Sequence, residues 1–199
     1  MKLKPLIITL SVMASIAVIV KGCYVYLDYR WDKYYENVLA PHLNNPALSV
    51  ASSEPKSGTQ YGTSPANDEK GFSYTLIVPP KRHYECYGCV TPSLDMGEDN
   101  PADYNEDGEY IGQMTPLSGD RFLCSMGVSV DKQGDISVYY FEISKIERNQ
   151  GIPVGDYEID RDGNLQNENN LSEDEKAIYH EMFPTMKYCI NQFNHIFSF

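Results

Sequence analysis

The clearest alternation of apolar and polar residues in the chain lies between residues 121 and 146. Every second position from 122 to 130 is apolar, and a turn of sequence DKQGD follows at 131–135. Residues 136–146 are rich in β-branched and aromatic side chains. This pattern predicts an antiparallel hairpin over residues 121–146. Because residues 138–143 are apolar at most positions on both faces, we expect the second strand to be central and covered by a helix.

Weaker strand patterns flank this hairpin. Residues 72–78 form an apolar run that Pro79 and Pro80 end, which predicts a strand. Residues 157–159 and Leu165 flank an Asp-Gly turn at 160–164, which predicts a further tight turn. Residues 81–119 are expected to form an irregular, acidic excursion.

A C-terminal helix is predicted from its start signal and its apolar stripe. Ser172 and Glu175 have the spacing of a capping box, so the helix should begin near Glu173. The stripe at helical spacing is Ile178, Met182, Met186, Cys189, Ile190, Phe193 and Phe197. Pro184 predicts a kink or a tight break. Strands followed by a helix indicate an α+β domain with a small antiparallel sheet under that helix.

An apolar run near the N-terminus predicts a membrane helix. Residues 6–20 would form a helix of about 22 Å, which is short for a span. If the side chain of Lys21 extends to the interface, residues 6–27 reach about 33 Å and can cross the hydrocarbon core. We therefore predict a transmembrane or signal-anchor helix at 6–27, preceded by a short basic cytoplasmic start at 1–5.

Two alternatives to an uncleaved span stay open. The small residues Ser15 and Ala17 precede Val18 and could mark a signal cleavage site. Gly22-Cys23 resembles the end of the bacterial lipobox and implies a lipoprotein acylated at Cys23, although Lys21 places a charge where that pattern has a small or apolar residue.

The residues after the apolar run favour the uncleaved span. Aromatic side chains gather where headgroups meet water, and we assign Tyr24, Tyr26 and Trp31 to that interface. Residues 28–43 are predicted to continue as a juxtamembrane aromatic helix that Pro41 ends. Residues rich in Ser, Pro, Gly and Asn at 44–71 predict a flexible linker, and 72–199 is then the acidic α+β domain.

Charge and orientation follow from the same division. Residues 1–40 contain five basic and three acidic side chains, whereas residues 41–199 contain 11 basic and 25 acidic ones. Such an acidic domain disfavours nucleic acid and favours a cationic partner or a divalent metal. The basic start before the apolar run predicts a single-pass inner-membrane protein with its C-terminal domain in the periplasm or outside the cell.

Four of the five cysteines were assigned to disulfides on the basis of this compartment. We predict the disulfides Cys86–Cys89 and Cys124–Cys189. In the alternative pairing, Cys86 and Cys89 each form a disulfide with one of the core cysteines, Cys124 and Cys189. A redox role for the CxxC at 86–89 is disfavoured because no helix pattern follows it. His83, Cys86 and Cys89 have the spacing of zinc ligands. A structural zinc site needs four ligands, and the sequence contains no second pair of this kind.

The most acidic stretch suggests a calcium loop or a docking surface. Asp103, Asn105 and Asp107, followed by Gly108, match the first half of a calcium loop, although position twelve is Met114. Calcium is the only cofactor that the sequence suggests. The residues expected to bind a basic partner protein are Asp99, Asp103, Glu106, Asp107 and Glu109.

No catalytic signature was found in the chain, including GxSxG, HExxH, the P-loop and GxGxxG. The sequence therefore predicts a non-enzymatic interaction module that is anchored in the membrane and binds a partner protein, as an immunity-type inhibitor or an accessory subunit would. Two alternatives are an envelope hydrolase using paired carboxylates and a calcium- or redox-responsive module. The oligomeric state is not predicted.

Overall fold

The computed structural model describes residues 3–92, 122–147 and 150–199. Helix α1 spans Leu3–Tyr34 and continues through a π-helical turn, Tyr35–Leu39, and a 3-10 turn, Ala40–Leu43. The strands are β1 (Leu48–Glu54), β2 (Gly58–Asn67), β3 (Phe72–Val78), β4 (Cys86–Pro92), β5 (Phe122–Val130), β6 (Val138–Glu147) and β7 (Gln150–Asp160). A short 3-10 turn, Glu168–Asn170, precedes helix α2, Glu173–Phe197.

The strands form one antiparallel sheet in which each strand pairs with its neighbours in the chain, in the order β1 to β7. The α+β class is confirmed, with a larger sheet than the sequence predicted. The predicted hairpin corresponds to β5 and β6, in which Met126 lies opposite Phe141. The turn before Leu165 is also present, and Leu165 forms a bridge with Ile159.

The stretch predicted as a flexible linker instead contains two strands. β2 pairs with β3, with Thr59 opposite Val78, and β1 pairs with β2 at the sheet edge. Apart from its first residue, β1 is exposed. Side-chain burial therefore contributes little to β1, and backbone pairing against a formed neighbour defines it. Sequence patterns detect side-chain periodicity, so such a strand escapes them.

Helix α2 covers one face of the sheet. In β3, the buried side chains alternate with partly buried ones, as a half-buried strand requires. The predicted capping box is present, because the Ser172 hydroxyl accepts from the Glu175 N–H and the Glu175 carboxylate accepts from the Ser172 N–H. The helix passes through Pro184 as one element. β6 is an interior strand of the sheet, as predicted, but only one of its faces is buried, and Tyr140 and Glu142 are exposed.

The far end of α1 belongs to the core of the domain. Trp31, Tyr34 and Leu39 are buried in the same cluster as the inner face of the sheet. On the surface, Arg82 Nε donates to Asp28 Oδ1 at 2.6 Å, and Lys81 Nζ lies 3.1 Å from an Asp32 carboxylate oxygen. These contacts fix the β3–β4 turn to α1.

Between Ile8 and Leu27, α1 is exposed and predominantly apolar. In the described part of the chain it is the one helix long and apolar enough to cross a membrane, and none of its most apolar window is buried. The exposed side chains include Ile8, Leu10, Val12, Met13, Ile16, Val18, Ile19 and Val20.

A carboxylate network joins the sheet to α2. Asp68, between β2 and β3, accepts hydrogen bonds from the N–H groups of Lys70 and Phe72, both at 2.9 Å. Its second oxygen accepts from the hydroxyls of Tyr74 at 2.6 Å and Tyr188 at 2.8 Å. Tyr188 is on α2, so one carboxylate connects a turn, a strand and the helix.

Candidate functional site

The face of the sheet opposite α2 carries an open groove of about 500 Å³ across β4 to β7. Because successive strand residues point to opposite faces, each strand that buries one side chain under α2 presents the next one here. The outward side chains lining this open-face groove are Cys89, Thr91, Ser125, Tyr140, Glu142, Asp156 and Glu158, with Asn167 from the segment after β7.

Strand register arranges the groove in two transverse rows. Ser125 lies opposite Glu142, which lies opposite Asp156. In the neighbouring row, Gly127 lies opposite Tyr140, which lies opposite Glu158. Gly127 has no side chain, and a Cβ built there would meet nothing within 4 Å. The floor of the groove is therefore low at Gly127 and is bordered by the Tyr140 ring and three carboxylates.

The acidic residues of the groove face one another without a cationic neighbour in its lining. Glu142 and Asp156 are directly opposed on adjacent antiparallel strands, an arrangement of like charges that destabilises a sheet. None of the side chains lining the groove is Lys, Arg or His. A cationic group placed between these carboxylates would relieve their repulsion, so the groove is suited to bind one.

Asn167 holds the outer edge of the groove. Its amide Nδ2 donates to the Asp156 carbonyl at 3.0 Å, and its Oδ1 accepts from the Glu158 N–H at 3.1 Å. The Asn167 side chain therefore bonds the C=O and N–H groups with which β7 would otherwise pair with another strand. The positions of the two β7 carboxylates are thus fixed by backbone bonding on both sides of the strand.

The opposed carboxylates of the groove are exposed, and no metal-binding cluster is present among the described residues. Within the described ranges, no three His, Cys, Asp or Glu side chains are grouped so as to hold a metal ion. A glycosidase pair requires one carboxyl kept protonated, usually by burial. Glu142 and Asp156 are both exposed.

The predicted disulfides are not present, and all five cysteines are free thiols. Cys86 and Cys89 lie on one strand, β4, three residues apart. In a strand, residues separated by an odd number of positions point to opposite faces, so Cys86 is buried under α2 and Cys89 faces the open groove. This geometry excludes the Cys86–Cys89 pairing.

The other predicted pair was correctly placed in the core but is not bonded. Cys124 on β5 and Cys189 on α2 are buried and hydrogen-bonded as thiols, and this contact, with burial, raises the pKa of Cys189. Burial also raises the pKa of Cys86 to about 12. At neutral pH the Cys86 and Cys189 thiols are protonated and act as small apolar core residues.

The three residues assigned to the membrane interface have different environments. Tyr24 and Tyr26 are exposed on α1, and the Arg82 guanidinium lies 4.8 Å from the centre of the Tyr24 ring. Trp31 is instead buried against Tyr34, Tyr35 and other core residues. It joins the anchor to the domain core, and its assignment to the membrane interface stays a prediction.

The predicted calcium loop and the predicted partner-binding residues lie outside the described residues. This applies to Asp103, Asn105 and Asp107 as ligands, and to Asp99, Glu106 and Glu109 as docking residues. Calcium binding and docking through this stretch remain predictions. The stretch joins β4 to β5, two strands that line the open-face groove.

Sequence reasoning did not identify the groove, because it considered only the helix-covered face of β6. The signal was present in Tyr140, Glu142, Asp156 and Glu158, which are spaced by two within their strands. Placing them side by side requires the β6–β7 register, which a single sequence does not provide.

The chain was compared with models of protein families, with curated proteins and with solved structures, and none of the three comparisons found a match.

Proposed function

We propose that the protein is a single-pass membrane-anchored interaction module whose acidic domain binds a cationic partner protein through the open-face groove. The observation that supports the anchor is the contrast along α1. Its N-terminal two-thirds exposes apolar side chains, whereas its C-terminal end lies in the domain core. Exposing that many apolar groups to water is unfavourable, and a bilayer is the environment that accepts them.

The rigid junction determines how the domain is presented. Because Trp31 and Leu39 are core residues and Arg82 binds Asp28, the domain is attached directly to the end of the anchor. A fixed domain loses little orientational freedom when it docks on a partner in the same membrane, which favours association. This replaces the flexible tether that the sequence suggested.

We place the domain on the non-cytoplasmic side, because a short basic start precedes the apolar run. The free thiols remove the cysteine argument for an oxidising compartment, so this orientation depends on the N-terminal residues alone. A fusion of alkaline phosphatase after Phe199 should be active. An inactive fusion, together with a fluorescent cytoplasmic reporter at the same position, would reverse the orientation.

The anchor is tested separately by extraction. Full-length protein should remain in the membrane pellet after alkaline carbonate treatment and be released by detergent. Replacing Ile16 by Arg, near the middle of the apolar run, should shift it toward the soluble fraction, because a central charge costs about 2.5–3.5 kcal/mol on insertion scales. Quantitative release of the unaltered protein by carbonate would contradict the anchor.

The groove is tested with a defined cationic probe. A short fluorescent lysine-rich peptide should bind the detergent-solubilised full-length protein, with an affinity that falls as salt rises. A double variant, Glu142→Gln with Asp156→Asn, should weaken binding about tenfold or more, as expected for loss of two charged partners. The matched control is Asp174→Asn with Glu181→Gln, which removes the same charge from α2.

Comparing the groove double variant with the α2 double variant distinguishes binding in the groove from attraction by overall negative charge. If both double variants weaken binding equally, net charge alone attracts the peptide and the groove is not the site. If neither changes it, the proposal fails for this face, and the acidic residues 99–109 become the next surface to examine. A partner protein recovered from solubilised membranes should show the same dependence on the groove variant.

A further inference from the structure

A second cavity, of about 460 Å³, lies where α1 joins the sheet. Its lining includes Trp31 of α1 and Tyr35 of the π-helical turn. The rest of the lining comes from the β1–β2 hairpin, including Tyr61, and from the end of β3 through Lys81. We call it the junction cavity. It shares no lining residue with the open-face groove, which is on the other side of the sheet from the core.

Helix geometry places the junction cavity at the level of lipid headgroups. If residues 6–27 cross the hydrocarbon core, Trp31 is four residues further, which is about 6 Å along the helix axis. The headgroup layer extends about 5–7 Å beyond the hydrocarbon on each side. The contacts of Arg82 with Tyr24 and Asp28 bring the β3–β4 turn, which lines the cavity, to the same level.

One side of the cavity has the chemistry that attracts an ammonium group. The rings of Trp31 and Tyr35 have centres 5.6 Å apart and planes at 75°, so they form two walls of a corner. Tyr61 is hydrogen-bonded to Tyr35 and adds a third ring. The Glu54 carboxylate lies in the same lining. Aromatic faces together with a carboxylate are a recurring site for ammonium cations.

The lining also contains a cationic side chain that can contact an anion. Lys81 supplies an ammonium, held 3.1 Å from Asp32. The indole N–H of Trp31 is buried, with the residue only 5% exposed, and has no acceptor in the described part of the chain. A buried donor without an acceptor is unfavourable, so an oxygen atom that reached it would be stabilised.

We propose that the junction cavity binds the headgroup of a phosphoethanolamine phospholipid from the membrane that α1 enters. Its ammonium contacts the Trp31–Tyr35 corner and Glu54, and its phosphate faces Lys81. A primary ammonium can donate hydrogen bonds to Glu54, whereas a trimethylammonium cannot, which selects ethanolamine over choline. The inference depends on the membrane anchor proposed above.

The test uses the only tryptophan of the chain, Trp31, as its reporter. Full-length protein in detergent is titrated with a short-chain phosphatidylethanolamine below its own micelle concentration, and tryptophan emission is recorded. The change should saturate. Glu54→Gln should weaken binding about tenfold, the loss expected for a charge-assisted hydrogen bond. Glu181→Gln, an exposed charge removal on α2, is the control and should bind as the unaltered protein does.

Three results would overturn the inference. The first is the absence of a saturable emission change. The second is equal affinity for phosphatidylglycerol or phosphatidylcholine of the same chain length. The third is unchanged affinity in Glu54→Gln when its lipid-free emission matches that of the unaltered protein. Equal binding of free phosphoethanolamine would show that the ligand is a soluble amine and would refute the lipid source.

The experiment also separates this inference from the anchor. The short-chain lipid is presented as dissolved molecules, so its binding does not require α1 to cross a bilayer. Saturable, Glu54-dependent binding combined with carbonate extraction of the protein would leave the cavity assignment intact and refute the anchor. Retention of the protein in the membrane without binding of the short-chain lipid would leave the anchor intact and refute the cavity assignment.

Discussion

Replacement of Asp68 by Ala should destabilise the domain more than a single side-chain truncation at the surface would. The Asp68 carboxylate accepts four hydrogen bonds, two from backbone N–H groups in the β2–β3 turn and two from tyrosine hydroxyls. The Lys70 N–H lies at the surface and can be hydrated after the change, whereas the Phe72 N–H belongs to a residue that is 4% exposed. The Tyr74 hydroxyl belongs to a residue that is 1% exposed, and it would lose its carboxylate acceptor.

The magnitude follows from these two classes of bond. A buried hydroxyl left unsatisfied costs about 1–3 kcal/mol, and loss of the bond to the half-buried Tyr188 adds about 1 kcal/mol. We therefore expect Asp68→Ala to lower the free energy of unfolding by about 2–4 kcal/mol. Asp131 provides a matched control, because its carboxylate accepts from the N–H groups of Gln133 and Asp135 in the β5–β6 turn and from no tyrosine. Asp131→Ala should cost about 1 kcal/mol.

Urea unfolding of the full-length protein in detergent, followed by far-UV circular dichroism, measures these differences. Tyr74→Phe completes a double-mutant cycle with Asp68→Ala. If the orphaned hydroxyl causes most of the loss, Tyr74→Phe should cost little or even restore stability in the Asp68→Ala background. Strict additivity of the two substitutions, or equal losses at Asp68 and Asp131, would refute the reasoning.

The same network predicts a pH dependence. Burial raises the pKa of Asp68, but the hydrogen bonds from Phe72, Tyr74, Tyr188 and Lys70 outweigh it, and the pKa is lowered overall. A carboxyl group with a lowered folded-state pKa stabilises the fold fully above its unfolded value, about 3.9, and loses that contribution as pH falls through the folded value. Stability should thus fall more steeply below about pH 4 in the unaltered protein than in Asp68→Asn.

Two further predictions concern β4. Gly88→Ala should destabilise the domain by about 1–3 kcal/mol, because the added Cβ would overlap the Phe193 ring. Gly127→Ala on β5 is the control, because a Cβ added there meets no other atom and causes no clash. Equal unfolding midpoints for the two variants would contradict this packing. Because burial raises the pKa of Cys86 to about 12, iodoacetamide at pH 8 should label Cys86 far more slowly in the native state than after unfolding. Peptide mass spectrometry of labelled protein measures this, and rapid native labelling of Cys86 would show that its strand opens.

The residues that sequence patterns located correctly are those whose signal is local. The alternation at 122–130, the capping box at Ser172 and the apolar stripe of α2 each lie within one element, and the structure confirms them. β1 lacks such a signal, because it pairs with β2 at the sheet edge and buries little of its own side chains, and β2 is defined as a strand by its pairing with β3. The CxxC at 86–89 suggested a disulfide, but its strand conformation places the two sulfurs on opposite faces of the sheet.

The sequence by itself determined the membrane-type helix, the acidic character of the domain and the α+β class, because composition and periodicity within single elements specify them. Only the tertiary structure decided that Trp31 belongs to the core, that Cys124 and Cys189 meet as thiols, and that Glu142 opposes Asp156. Each of these depends on strand register or on packing between residues distant in the chain. A one-residue shift of register moves every side chain of a strand to the other face, and no local pattern in a single sequence fixes that choice.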